Sequence, residues 1–264
     1  MCVYGGDNAE WFSQAVNSVL NQTVQPDEIV LVVDGPVPED LDRMICEYES
    51  NPIFHVIRFK ENKGHGEARR AGLSQCKNEL VAIMDADDIC VKGRFEKQLN
   101  VFEKHQDIDV VGGQITEFIG VPNNIVGRRI VPLDNLEIKE YMKKRCPMNL
   151  MTVMFKKSSV EKAGGFMDWY CDEDYYLWVR MALVGMKFAN INDVLVNVRV
   201  GDDMYNRRGG IKYFKSERKL QKYMLDNKVI TRRTYLNNVM KRLIVQVLLP
   251  NRIRGWAFRH FARS

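Results

Sequence analysis

The chain switches between two spacings of apolar residues. From Glu10 to Asn21, Trp11, Phe12, Ala15, Val16, Val19 and Leu20 recur every three or four positions, which predicts an amphipathic helix. The unbroken run Glu28-Ile29-Val30-Leu31-Val32-Val33 predicts a strand buried on both faces, ending at Asp34-Gly35-Pro36. A second helix runs through Leu41, Met44, Ile45 and Tyr48, followed by a strand at Phe54–Phe59. Lys63-Gly64-His65-Gly66 turns into a third helix reaching Cys76, and Leu80–Met84 is the next strand. Such alternation predicts a parallel sheet with helices on both sides, whose ligands bind beyond the carboxyl ends of the strands. Tyr4, Asp34 and Asp85 all fall at those ends.

Beyond residue 90 the pattern becomes mixed. A helix over Arg94–Lys104 precedes strands at Val110–Ile115 and Ile125–Ile130. A helix over Leu133–Lys144, a strand at Met151–Phe155 and the glycine turn Gly164-Gly165 follow. The acidic knot Asp172-Glu173-Asp174 then opens a helix through Leu183. From Ile211 onward helices are expected at Ile211–Leu225, Thr231–Leu249 and Ile253–Arg263.

Two acidic knots carry the candidate chemistry. Asp85-Ala86-Asp87-Asp88 sets three carboxylates at the end of a buried strand. Ionised neighbours repel, so the cluster calls for a divalent cation or hydrogen-bond donors. The plainer alternative is a polar turn in which Asp88 caps the helix starting near Val91. In the second knot Asp172 fits an ordinary acidic first turn, while a neighbouring carboxylate can serve as a general base. Gly64-His65-Gly66 is half of a dinucleotide fingerprint, but Arg69 stands where the third glycine belongs. A loop that brings Arg69 to an anion fits better, with a solvated helix residue as the competing reading.

Composition narrows the class. Six cysteines are scattered without a Cys-x-x-Cys pair, which suits a reducing compartment. The longest apolar run, Leu243–Leu249 with one Gln, is too short to span a membrane, so a cytoplasmic location is expected. Charge is divided unevenly. From Arg207 onward there are 16 Lys and Arg against two acids, a net +14, leaving residues 1–206 at −9. The last stretch, Arg252–Arg263, interleaves cations with Trp256, Phe258 and Phe261, a pattern that suits an anionic membrane surface.

Taken in order, Val3-Tyr4, Ser18–Thr23, Asp27–Gly35, Asn62-Lys63-Gly64, Ala68-Arg69, Asp85–Asp88, Gly164-Gly165-Phe166 and Glu173–Trp178 resemble family 2 inverting glycosyltransferases. Within that family the chain is similar to bacterial transferases of O-antigen, capsule or exopolysaccharide assembly. The resemblance covers about residues 1–200 and implies a GT-A (Rossmann-like), mostly parallel α/β sheet flanked by helices. A GT-A domain is then expected over 1–205, with a nucleotide-sugar half at about 1–115 and an acceptor half at about 116–205. A basic helical extension would occupy 206–264. The implied reaction moves a sugar from a nucleotide-sugar, UDP-linked, to a saccharide acceptor carried on undecaprenyl diphosphate.

The implied roles follow position by position. Tyr4 and Asp34 contact the base, Arg69 the base or diphosphate, and Asp85 the ribose or metal. Asp87 ligates Mn²⁺ or Mg²⁺, and Asp174, with Glu173 as the alternative, deprotonates the acceptor hydroxyl. The basic tail would hold the enzyme at the inner face of the inner membrane. Three departures stand out. Relatives carry more apolar residues ahead of the Val-Tyr pair, so Met1 need not be the true start. Asp34-Gly35-Pro36 offers one acid where two are common. Leu150 stands where a subset of relatives has His.

Two other classes compete. A nucleotidyltransferase acting on sugar phosphates would need a basic glycine-rich loop after the first strand, and Gly5-Gly6-Asp7-Asn8 has no cation. A non-enzymatic nucleic-acid binder would use the basic tail but leave both acidic knots without a role.

Overall fold

The computed structural model describes residues 1–201 and 209–249. The apolar run of the second strand becomes β2 (Ile29–Asp34), with all six residues buried. It is flanked by β1 (Cys2–Tyr4) and β3 (Phe54–Arg58) in a three-stranded parallel sheet ordered β1-β2-β3. Helices α1 (Ala9–Leu20) and α2 (Glu39–Glu49) are the crossovers, and α3 (His65–Gln75) leads from β3 out of this sheet. The Asn8 side chain accepts the Trp11 N–H and so caps α1, which buries Phe12, Ala15, Val16 and Val19, the face its spacing marks.

The remaining strands build a second, six-stranded sheet. It contains β4 (Leu80–Ala82), β5 (Ile89–Cys90), β6 (Val110–Phe118), β7 (Ile125–Arg129), β8 (Met154–Lys156) and β9 (Phe188–Arg199). The order is β4-β8-β6-β9-β5, with β7 on β6. Only β6 and β9 run parallel; the other four pairings are antiparallel. The parallel character expected of the fold therefore belongs to β1–β3, and the mixed second half is dominated by antiparallel pairs. The six residues between β6 and β7 allow a hairpin, whereas a parallel return needs a crossover of a dozen residues or more.

β9, the longest strand, has no counterpart among the sequence expectations. Asn190, Asn192 and Asp193 break its alternation, and its pairing with β6 shifts register around Gly113–Ile115. The strand expected at Met151–Phe155 begins instead as a 3₁₀ turn at Leu150–Thr152.

Helices α4 (Arg94–Lys104), α5 (Asn135–Met142), α6 (Lys157–Lys162) and α7 (Glu173–Leu183) cover this sheet. Then come α8 (Ile211–Asp226) and α9 (Arg232–Leu243), the latter running into a π turn at Ile244–Leu248. Leu220, Met224 and Ile230 share a core with Tyr175, Trp178 and Phe188, so α8 packs against the second half of the body. The helix expected at Ile253–Arg263 lies outside the described residues. Among the described residues, no helix is long and apolar enough to cross a membrane.

The two sheets meet without a shared hydrogen-bonded edge. A cleft of about 480 Å³ lies between them, walled by Ile29, Val30, Leu73, Leu80, Val81 and Phe95 and reaching Arg69 and Asp85. The end of β4 is secured from beneath by Arg94, which is fully buried. Its Nη2 donates to the carbonyls of Ile83 (2.8 Å) and Val153 (3.2 Å), and its Nε donates to Gln98. Gln98 in turn donates to the carbonyls of Val111 and Thr152. Arg94→Ala strands these acceptors and opens a void, and is expected to cost about 2–4 kcal/mol of stability in a urea titration; an unchanged midpoint would show that the carbonyls have other partners.

Candidate active site

The first sheet supplies two of the expected residues at its carboxyl edge. Tyr4 and Asp34 face each other in register. Tyr4 is exposed, its N–H donates to Asp7 Oδ2 at 2.9 Å, and its ring meets His65 edge-on. Asp34 is buried and fully engaged: Oδ1 accepts the Lys63 N–H (2.6 Å) and Oδ2 the Gly64 N–H (2.9 Å). It thus tethers the loop that starts α3. Gly64 holds φ +88°, a left-handed geometry suited to glycine. A side chain at Gly66 would press on the backbone of Met167 and Asp168. The glycine pair therefore seats helix α3 against a distant loop.

That seating brings Arg69 inward. Its side chain is only 9% exposed and lies between two acids, Nη1 donating to Glu173 Oε1 (2.5 Å) and Nη2 facing Asp85 Oδ1 (3.6 Å). The reading of Arg69 as a solvated helix residue is excluded. One guanidinium spans from the end of β4 to the first turn of α7.

Past Asp85 the chain turns through Asp87 and Asp88 into β5. Asp88 does not cap the next helix, whose cap position is Gly93. Instead it is buried, and its Oδ1 accepts the Arg199 N–H at 2.8 Å, tying the turn to the end of β9. Burial, with Asp85 and Asp7 nearby, pushes Asp87 up to about 6. Burial, Asp87 and Asp85 raise Asp88 as well. This crowding of negative charge is what a bound cation would relieve, so the residues fit one. Among the described residues no cluster of three or more potential ligands forms. Asp85 and Asp87 would hold the ion, leaving other positions to phosphate oxygens and water.

In the second knot the three acids part company. Asp172 stands at the start of α7 without a capping bond from its side chain; it is buried, and burial together with Glu217 and Asp174 raises its pKa. It therefore holds the helix-start position expected for it, without a capping bond. Glu173 is committed to Arg69. Asp174 accepts the Tyr175 N–H at 2.7 Å and lies 3.5 Å from the Cys146 thiol. Burial, then Glu173, raises its pKa, while the Tyr175 N–H, Arg69 and Arg129 oppose the rise.

Two supporting residues had little sequence signal. Arg199 is a lone cation at the end of β9. Its side chain donates to the carbonyls of Asp87 and Gly120 and to Gln14, and it lies over the rings of Trp11 and Phe118. Cys146 follows a basic run, and its carbonyl is held by Arg129 at 2.7 Å.

With this geometry in view, residues 1–162 match the family model described as glycosyl transferase family 2. The chain is a family 2 glycosyltransferase. It is 42% identical over 222 residues to an uncharacterised glycosyltransferase of Haemophilus influenzae, covering 84% of this chain and 82% of that protein. It is 38% identical over 223 residues to the amylovoran biosynthesis glycosyltransferase AmsE of Erwinia amylovora, covering 84% and 83%. It is 34% identical over 263 residues, 100% of this chain and 95% of the relative, to an Escherichia coli UDP-Gal:alpha-D-GlcNAc-diphosphoundecaprenol beta-1,3-galactosyltransferase. Among solved structures, S. aureus TarS 1-349 in complex with UDP-GlcNAc superposes with a TM-score of 0.68 at 15% identity, covering 98% of this chain and 75% of that one. A Pyrobaculum calidifontis mannosyltransferase in complex with GDP-Man and Mn²⁺ gives 0.62 at 14% identity, covering 97% and 70%. These likenesses establish the GT-A fold.

Because the Arg199 side chain ties the Asp87 carbonyl to Gly120 and Gln14, Arg199→Ala is expected to cost about 2 kcal/mol, or roughly 4–8 °C of melting temperature. A thermal shift below 1 °C would mean that the turn is held by other groups.

Proposed function

We propose that this glycosyltransferase transfers a hexose from a UDP-sugar, with inversion, to a saccharide carried on a lipid diphosphate during surface-polysaccharide assembly. The observation that carries the reading is the Asp85–Arg69–Glu173 bridge, which sets the acids of the first knot beside the helix that bears Asp174. Support for the donor and acceptor classes comes from the galactosyltransferase of Escherichia coli, which is named for a UDP-sugar donor and a diphosphoundecaprenol-linked acceptor. AmsE, by its name, supports a polysaccharide product.

In this reading Tyr4 forms one wall for the base, and Asp34 acts by fixing the loop at Lys63-Gly64 rather than by a free carboxylate. Arg69 faces the diphosphate. A divalent cation, Mn²⁺ or Mg²⁺, held by Asp85 and Asp87 would offset charge on the leaving diphosphate. Asp174 takes the proton of the acceptor hydroxyl as its oxygen bonds to the anomeric carbon and the bond from that carbon to the diphosphate oxygen breaks. Glu173, committed to Arg69, orients α7 and is not the base. A base whose pKa is raised stays protonated to a higher pH than a free aspartate, so as the pH is lowered activity should be lost earlier than for a free aspartate.

UDP release from UDP-galactose, UDP-glucose and UDP-N-acetylglucosamine with Mn²⁺ tests the assignment. Asp87→Ala should weaken metal-dependent UDP binding at least tenfold. Asp174→Asn should keep UDP binding and lower turnover at least a hundredfold; wild-type turnover in Asp174→Asn would remove the base assignment.

The lipid-linked acceptor also gives the basic C-terminal region a task. On the described part, Leu236, Met240, Ile244 and Leu248 recur every four residues and are exposed, beside the exposed cations Arg232, Arg233 and Lys241. With the Arg252–Arg263 stretch, which lies outside the described residues, this face would dock on an anionic membrane. Vesicles of phosphatidylglycerol should float the protein, and replacing Arg252, Arg254, Arg259 and Arg263 by Glu should abolish flotation. Equal flotation of both forms would refute docking by the tail.

A further inference from the structure

The family match ends at residue 162, yet the helices near the end of the described chain grip both segments that border Asp174. One border is the end of α5 and the strand of chain after it. Asn238 of α9 donates to the Lys143 carbonyl at 2.8 Å, and Arg242 Nη2 donates to the Lys144 carbonyl at 2.9 Å. Two residues farther on is Cys146, whose thiol faces Asp174 Oδ2. Tyr175, next to Asp174, donates its hydroxyl to the Met142 carbonyl in the same segment.

The other border is the loop that leads into α7. Ser216 of α8 donates to the Tyr170 carbonyl at 2.6 Å. Lys212 and Lys219 lie over the rings of Tyr170 and Trp169 at 4.0 and 4.2 Å. Trp169 packs on Tyr176, which meets Tyr223 of α8 edge-on. Within this loop Cys171 holds φ +59°, an uncommon conformation for a side-chain-bearing residue.

Arg242 and Glu217 join the two grips. Their side chains are each 12% exposed and pair at 2.8 Å, with Gln246 donating to the same Glu217 oxygen. Asn238 also donates to Gln221 of α8 at 2.8 Å, closing the link between the helices. Beside the pair is buried Asp172, whose Oδ2 has no hydrogen-bond partner among the described residues. Burial, Glu217 and Asp174 push this carboxyl up, and Arg242 is the arginine that opposes the rise.

We propose that Arg242, ion-paired with Glu217, is a positioning residue for Asp174, holding together the Lys143–Cys146 segment and the Tyr170–Asp172 loop so that the base faces the acceptor. The inference rests on the assignment of Asp174 as the base. It makes the C-terminal helices part of the catalytic apparatus, acting on the acceptor side and leaving the donor crevice untouched.

The test uses the full chain with Mn²⁺ and whichever of the three UDP-sugars named above the wild type hydrolyses fastest. Arg242→Met should lower kcat at least tenfold while the UDP-sugar KM stays within twofold, in protein that melts well above the assay temperature. Arg242→Lys should recover at least a third of the lost rate. Glu217→Gln, a milder change for the case in which Arg242→Met does not fold, should lower kcat at least threefold with the same KM. Iodoacetamide should label Cys146 at least tenfold faster in either impaired variant as its segment loosens. Full turnover in folded Arg242→Met or Glu217→Gln would overturn the inference, as would parallel changes in kcat and KM. Asp174→Asn, run alongside, separates the two claims: wild-type turnover there removes the base assignment, whereas an inactive Asp174→Asn beside a fully active Arg242→Met removes only the positioning role.

Discussion

A single guanidinium sits where the two halves of this enzyme meet. Arg69 is nearly out of water, and its cost of burial is offset only because Glu173 and Asp85 reach it from opposite sides. Neither acid can move far without leaving the arginine under-compensated. Since among the described residues no backbone ladder joins the sheets, this charge contact and the helices around it define the crevice. The short α3 is placed by glycine geometry at Gly64 and Gly66, so the position of the charge depends on small residues at the start of its helix.

Other arginines repeat the solution. Arg94, Arg180 and Arg199 each donate to backbone carbonyls at the ends of strands or turns. A planar group with five donors can hold several carbonyls whose directions no regular ladder would satisfy. The acidic turn Asp85–Asp88 is supported this way from two sides, by Arg94 beneath Ile83 and by Arg199 at Asp87. A segment dense in like charge can then stay ordered before any cation arrives.

Much of this was legible in the chain. The helical spacing of Phe12, Val16 and Val19 and the continuous run of β2 mark the first sheet, because local pattern and burial agree there. The meeting of Tyr4 and Asp34 at one carboxyl edge follows from strand order, whereas Asp85 follows a strand that belongs to the other sheet. What escaped was set by long-range pairing. Asp34 looks like a free acid until the Lys63 and Gly64 amides are seen on it. Asp88 looks like a cap until Arg199 approaches from more than a hundred residues away. β9 hides because a register shift and three polar residues erase its alternation. Cys146 and Asp174 have no common motif, and long-range contacts such as that of Tyr175 with the Met142 carbonyl bring their segments together.

The cleft between the sheets gives the crevice a mechanical character. Tyr4 and Asp34 ride on one sheet and Asp85 on the other, with an open cleft of about 480 Å³ at the seam. Their separation is set by side-chain packing and charge contacts across that cleft and not by the fixed pitch of a hydrogen-bonded sheet. The spacing between the base-binding edge and the acidic turn is therefore the dimension of this molecule that can adjust to the size of what it holds, while each sheet keeps its own geometry.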